Sequence, residues 1–314
     1  MGLIPQSATP EGYGYWGKIT SSVDWCEENY EHSHYVAEFF NSYSSFAMIV
    51  LGEIAVRMNC TNYIAFTIMA RTITLVGIGS FMFHATLKYH MQMLDEVPML
   101  WAILCAFYIQ TKYRYKITSQ WFKLGCIGWG IFITLLTAGF EGNTQFYCFH
   151  VSFGSLVYSC MYYMYKSLQD LKARGRFEFV PIFYKGIALY TISVTCWLID
   201  TNLCHLVNGK VGGSQTVLPI NPQLHAWWHV IISFGLYYLV IMFMADYCVA
   251  HNIPFRLSHV LFGLLPTISA INSPHLKASL DKYSGEHQYL TSKSDRRHHI
   301  KDEGVFFKDS SHTD

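Results

Sequence analysis

Long apolar runs separated by short polar stretches organise most of the chain. Seven of them, 39–56, 64–86, 92–110, 121–140, 145–165, 182–204 and 226–248, approach the length of a membrane crossing. About 20 apolar residues span a hydrocarbon core about 30 Å thick, at about 1.5 Å per residue. The pattern predicts an all-α polytopic membrane protein with seven transmembrane helices. A shorter apolar patch, 255–270, contains Arg256, His259 and Pro266 and reads as an interfacial helix that does not span. From Ser273 to Asp314 the chain is polar without an apolar period, as expected of a disordered tail. The expected organisation is an N-terminal segment over 1–38, a membrane domain over 39–248, an interfacial segment over 249–272 and a tail over 273–314.

Composition sharpens this picture. Only 14% of the residues are charged, against 52% hydrophobic, where a soluble domain carries about 25% charged. Of the 22 basic and 21 acidic side chains, 14 fall in 268–314, so the rest of the chain is poorer still. A mean hydropathy of +0.21 argues against a soluble enzyme and against a disordered protein. The net charge of +1 argues against a nucleic-acid partner, which calls for a basic patch. The many aromatics suit bilayer interfaces, and the nine cysteines fall mostly inside helices as small apolar side chains.

Lys and Arg gather on the cytosolic side of spanning segments. One set of loops holds only Lys18, Lys88 and Lys210. The alternate set holds Arg57, Lys112, Arg114, Lys116, Lys123, Lys166, Lys172, Arg174, Arg176, Lys185 and Arg256, eleven against three. This predicts a lumenal N-terminus and a cytosolic C-terminus. Residues 1–38 lack the apolar core of a cleaved signal peptide, so the first helix would itself be the targeting signal.

Ionisable groups inside spanning helices are expensive and point to function. Ser80 and His84, four apart in Gly-Ser-Phe-Met-Phe-His, share one face of the second helix. Asp95 lies just inside the third. His225 and His229, in His-Ala-Trp-Trp-His, sit one turn apart at the start of the seventh, so both imidazoles reach a single ion. Asp200 is near the end of the sixth, with His205 beyond it. The predicted topology puts all four sets at one membrane depth, in the lumenal third.

Three histidines with an open position form a common catalytic zinc arrangement, and imidazole suits zinc. Zinc brings the pKa of a coordinated water to about 7. Ala226, Trp227 and Trp228 fill the interior of the helix 7 pair, so the general base must come from elsewhere. Asp95 is the nearest candidate by depth, and Ser80 can donate to a developing oxyanion. Asp200 reads equally as a partner orienting a histidine or as a structural residue bonded to backbone. His150 and His259 read as histidines that hydrogen-bond a neighbouring helix. A second cluster, Asp24-Trp25-Cys26-Glu27-Glu28-Asn29 and then Glu38, offers the oxygen ligands calcium takes. It lacks EF-hand spacing, and composition leaves a calcium site and a solvated acidic segment both open.

In this order, Asp-Trp-Cys-Glu-Glu-Asn-Tyr, Gly-Ser-x-x-Phe-His, Thr-Leu-Lys-Tyr with Leu-Asp-Glu-x-Pro-Met, and His-x-Trp-Trp-His resemble the alkaline ceramidases, seven-helix zinc amidases of the endoplasmic reticulum and Golgi. The resemblance runs from about Tyr15 to Ser258 and is weakest in the fourth and fifth helices. It implies catalytic zinc on His84, His225 and His229. It also implies Asp95 handling the proton of the attacking water, and Ser80 assisting at the carbonyl oxygen. Calcium would lie on Asp24, the Trp25 backbone carbonyl, Glu27, Asn29 and Glu38, and Cys26 would pair with Cys204. The implied substrate is a ceramide, dihydroceramide or phytoceramide. Phe81 stands where the family often has Trp, and Val97 where it often has Leu.

Two other classes deserve weighing. An adiponectin-receptor-like protein also combines seven helices with three-histidine zinc, but its N-terminus is cytosolic, against the loop charges here. A transporter would bring repeat symmetry and helices broken near mid-membrane. The polar groups of this chain crowd one face instead.

Overall fold

The computed structural model describes residues 14–271. Segment 14–38 carries no helix or strand and leads into α1 (Phe39–Ser44) and α2 (Phe46–Arg57). There follow α3 (Ile64–Thr86), α4 (Tyr89–Arg114), α5 (Gln120–Ala138), α6 (Gly142–Ala173) and α7 (Phe179–Asn202). Two single turns, α8 (Cys204–Val207) and α9 (Gly209–Gly212), precede α10 (Leu224–Ala250). Ser45 keeps helical angles between α1 and α2, so the two run as one span, Phe39–Arg57.

Six helices are long and apolar enough to cross a membrane: Phe39–Arg57, α3, α4, α5, α7 and α10. The chain is a mostly helical, polytopic membrane protein. The seventh expected crossing, 145–165, lies within α6, which forms over 32 residues but is less apolar than the other six. Gln145, His150 and a series of serines dilute it.

The most enclosed helix is α10, with 72% of its apolar stretch buried against 17% for α5. Nearly every residue from Tyr237 to Cys248 is buried, against Phe66 and Met69 of α3, Leu168 of α6 and Phe179 of α7. A helix apolar on all sides belongs at the centre of a bundle. Around it, α3 and α4 form a tight antiparallel pair. Leu87 closes α3 in the left-handed region, at φ 50°, and its N–H bonds the Phe83 carbonyl. Gly79 lets the two helices touch, because a Cβ there would overlap the Leu94 carbonyl. The next residues on each helix are Ser80 and Asp95, so this contact sets them side by side.

Residues 255–270 form no helix. They make an antiparallel hairpin, β1 (Phe255–Val260) with β2 (Leu265–Ala270), in which Phe255 faces Ala270 and Val260 faces Leu265. Pro266 lacks the N–H a helix interior needs, and Leu261, Phe262 and Gly263 turn the chain at positive φ. Phe255, Leu265 and Ile268 pack on the bundle, and the Tyr237 hydroxyl donates to the Pro266 carbonyl at 2.8 Å. The tail expected over 273–314 lies outside the described residues.

Candidate metal centre

His84 lies in the last turn of α3, and His225 and His229 in the first turns of α10, so antiparallel packing gathers three imidazoles at one end of the bundle. All three are buried, with ring centroids 4.7, 4.9 and 5.0 Å apart. Their ligand atoms all lie within 4.8 Å of one another. Among the described residues no other set of three His, Cys, Asp or Glu side chains meets so closely.

Each ring is held differently from behind. His84 Nδ1 hydrogen-bonds the Glu38 carboxylate, which leaves Nε2 for the centre. His229 Nδ1 pairs with Ser44 Oγ at 2.8 Å, and its Nε2 lies 3.2 Å from Ser80 Oγ. His225 is sandwiched between the rings of Trp25, 3.7 Å away, and Trp228, 5.0 Å away. Neither of its ring nitrogens has a partner. A buried polar atom left unpaired costs about 1–3 kcal/mol. Three clustered imidazoles with unspent lone pairs fit a metal ion that takes nitrogen ligands, so the triad could hold one.

Ser80, fully buried, accepts from Ser45 Oγ at 3.0 Å and neighbours the Asp95 carboxyl. Asp95 is buried on α4. Asp200 makes no hydrogen bond to a histidine ring. Its two oxygens accept the backbone N–H of Cys26 at 3.1 Å and of His225 at 3.3 Å.

The acidic cluster roofs this end. Glu27 accepts the N–H groups of Phe40 and Asn41, at 2.7 and 2.9 Å, and so caps α1. Glu38 accepts the Trp25 N–H at 3.1 Å and Asn41 Nδ2 at 3.2 Å. Asn29 Nδ2 donates to both Asp24 oxygens, at 3.1 and 3.2 Å, while Asn29 Oδ1 is buried without a partner. Among the described residues no Lys or Arg pairs with Asp24, Glu27 or Glu38. Burial, reinforced by repulsion between carboxylates, pushes Glu27 and Glu38 up to about 8 and lifts Asp24 well above the carboxylate range. Uncompensated buried carboxylates beside a spare amide oxygen fit a hard cation. The set is looser than the triad, since its carboxylates do not all meet within 4.8 Å. Cys26 and Cys204 are joined by a disulfide, and the Cys26 carbonyl accepts from Asn208 Nδ2 at 3.0 Å and Asn221 Nδ2 at 2.8 Å.

The Ceramidase family model matches residues 17–266. The chain belongs to the ceramidase family. It is similar to alkaline ceramidase 3 of Mus musculus, 31% identical over 241 residues, which cover 71% of this chain and 83% of the relative. The alkaline ceramidase of Arabidopsis thaliana is 31% identical over 229 residues, 71% of this chain and 82% of the relative. That of Drosophila melanogaster is 27% identical over 245 residues, 76% and 81%. Membership makes this chain an amidohydrolase of the ceramidase type.

Three contacts in this ceramidase escape sequence reasoning. Glu38 serves His84 as well as the acidic cluster, and its place just before the first helix, level with His84, was the available signal. Ser44 behind His229 gives no such signal, and Trp25 enters the site through its ring as well as its backbone. The histidines expected to bridge helices do not. His150 Nδ1 bonds the Phe146 carbonyl of its own helix at 2.7 Å, and His259 is exposed on β1. A carbonyl one turn back is within easier reach of His150 than any neighbouring helix, and the hairpin carries His259 off the bundle.

Proposed function

We propose that this ceramidase cleaves the amide bond of ceramides within the bilayer, releasing a sphingoid base and a fatty acid. In this reading His84, His225 and His229 would hold a catalytic zinc ion, and the acidic cluster would take calcium. One observation carries the reading: a buried histidine triad, with both His225 nitrogens unspent, in a chain of this family. When bound, zinc supplies Lewis acidity that activates water and polarises a carbonyl.

The chain's own residues do the rest. Asp95, beside Ser80 at the rim of the triad, takes the proton of the attacking water and delivers it to the nitrogen as the C–N bond breaks. Ser80 donates to the carbonyl oxygen as it gains charge. Glu38 and Ser44 fix two rings from behind, and Trp25 and Trp228 clamp the third. Asp24, the Trp25 carbonyl, Glu27, Asn29 and Glu38 would hold the calcium, which would offset the charge of the buried carboxylates and so help keep segment 14–38 over the site. Glu38 links the two sites.

With α6 counted as a seventh crossing the two termini lie on opposite sides of the membrane, and the loop charges support a lumenal N-terminus and metal centre. The setting proposed is the endoplasmic reticulum or Golgi membrane. A lipid substrate with two long tails suits a site buried in a bundle, since it need not leave the bilayer.

The deciding experiment measures sphingoid base released from ceramide, dihydroceramide and phytoceramide at alkaline pH. Purified protein is assayed beside His225→Ala, with zinc quantified in both. Turnover with near-stoichiometric zinc, both lost in the variant, is the expected result. Zinc without turnover on any of the three overturns the substrate assignment.

A further inference from the structure

The hairpin β1–β2 has no part in the chemistry above. Its open end lies beside the start of α7: the Phe255 ring is 6.1 Å from that of Phe179, and the Arg176 guanidinium stands 4.6 Å from its centre. From there β1 rises about 17 Å to the tip. The tip meets α10 near the middle of that helix. There Tyr238 donates to the Leu264 carbonyl, and Tyr237 to the Pro266 carbonyl at 2.8 Å. The hairpin therefore runs back along α10 from the end remote from the triad, and its tip points toward the bilayer.

Charged side chains fix the level that the tip reaches. Gly186 of α7 packs against Tyr238, and Lys185 beside it is exposed. Gly52 and Tyr237 line one small cavity, and Glu53, next to Gly52, pairs with Arg71 of α3. Charged side chains on spanning helices sit near the helix ends and extend to the headgroups. Arg71, Glu53 and Lys185 come from three helices and stand at one level. That level is the headgroup boundary on the face of the membrane opposite the triad.

No residue from Val260 to Leu265 has a polar side chain. Leu265 packs on the bundle, but Val260, Leu261, Phe262 and Leu264 are exposed, Phe262 completely. A hairpin turn in water favours Asn, Asp and Gly at positive φ. Here Leu261 and Phe262 take φ 50° and 56°, ahead of Gly263 at 87°. Single exposed apolar residues need no explanation, whereas a contiguous patch points to a contact. We propose that this tip is seated in the bilayer, with Leu261, Phe262 and Leu264 among the acyl chains just beneath the headgroups. The partner is lipid because the patch is exposed at the level where the headgroups begin. An interfacial helix would lie along the boundary; the hairpin offers it only a tip. That form suits the backbone, since the open edges of a sheet are not satisfied in hydrocarbon. Arg256 and Ser269, at the open end, are exposed and stay in water. Within the tip the Leu264 and Pro266 carbonyls take tyrosine hydroxyls, and the Leu264 N–H bonds the Leu261 carbonyl at 3.1 Å. The contact gives α10, which carries His225 and His229, a hold on the membrane at its far end, whatever the triad hydrolyses.

The test places photoreactive benzoylphenylalanine at one position at a time in the full-length protein, held in phosphatidylcholine nanodiscs. From positions 262 and 264, irradiation should add the mass of one phospholipid, and fragmentation should put the new bond on an acyl chain. From position 269, at the open end, that adduct should be lost. Phe262→Asp should also suppress the adduct formed from position 264, because a carboxylate resists leaving water. An unchanged elution volume checks that this variant keeps its fold. No lipid adduct from 262, or equal adducts from 262 and 269, overturns the proposal, as does an adduct from 264 that Phe262→Asp leaves intact. A cross-link from 262 to a second copy of the chain, or to residues 273–314, overturns it too, since protein would then cover the tip.

Discussion

The carboxylate of Glu38 holds the ring of His84 through one oxygen and takes the Trp25 N–H at 3.1 Å through the other. One side chain therefore stands in both the acidic cluster and the triad. Groups that orient a metal-binding histidine from behind are worth about 10–100-fold in metal affinity or activity. Glu38→Ala should lower zinc affinity by that order, read by competition with a chelating dye. An affinity equal to that of the unaltered protein would separate the two clusters functionally.

Removing calcium should make stability depend on pH. Without the ion, Glu27 and Glu38 titrate at about 8 in the folded protein, against 4.5 for an unperturbed glutamate. The folded state then binds more protons than the unfolded one between those values. Their contribution to stability is complete below about 4.5 and is lost as pH rises through about 8. Chelator-treated protein should melt at a lower temperature near pH 9 than near pH 5, and added calcium should close most of that gap. Identical melting at both pH values in chelator would mean that the cluster does not behave as uncompensated carboxylates.

Asp95→Asn keeps the size and burial of the side chain while removing its basicity. Loss of a general base typically costs about 10²–10⁴-fold in rate. The variant should bind zinc as the unaltered protein does while turnover falls by that factor. Full activity with zinc retained would remove Asp95 from the mechanism.

Gly79→Val should damage turnover without touching a metal ligand. Its side chain would press on the Leu94 backbone and part α3 from α4, where overpacking costs about 1–3 kcal/mol. Both the melting temperature and kcat should drop. Gly128→Ala on α5, where nothing lies within 4 Å of the added methyl, is the control and should change neither. A Gly79→Val protein as active as the control would show that the close approach is dispensable.

The six most apolar helices and the triad are legible in the sequence for physical reasons. A spanning helix needs an apolar run, and an i,i+4 pair such as His225 and His229 has to share a face. What is hard to read lies between elements. The polarity of α6 is internal: Gln145 is buried, accepts from Gln92 Nε2 at 3.0 Å and donates to Glu96, so a residue that lowers hydropathy is fully paired inside the bundle. Apolarity alone does not distinguish a short helix from a hairpin, and Pro266 with the turn at Leu261–Gly263 decides the form of 255–270. The bond from Glu38 to His84 joins residues 46 apart, a pairing no local pattern reports.

Asp200 spans the seam between the roof and the centre beneath it. One of its oxygens takes the N–H of Cys26, already anchored through its sulfur and its carbonyl, and the other takes the N–H of His225. Residues 26 and 225 are thus two ends of one bracket. A push on the N-terminal segment reaches an imidazole of the triad through a single carboxylate, and a ring displaced at the centre pulls on the same bracket from below. Roof and centre share a mechanical joint made of one carboxylate and two backbone N–H groups.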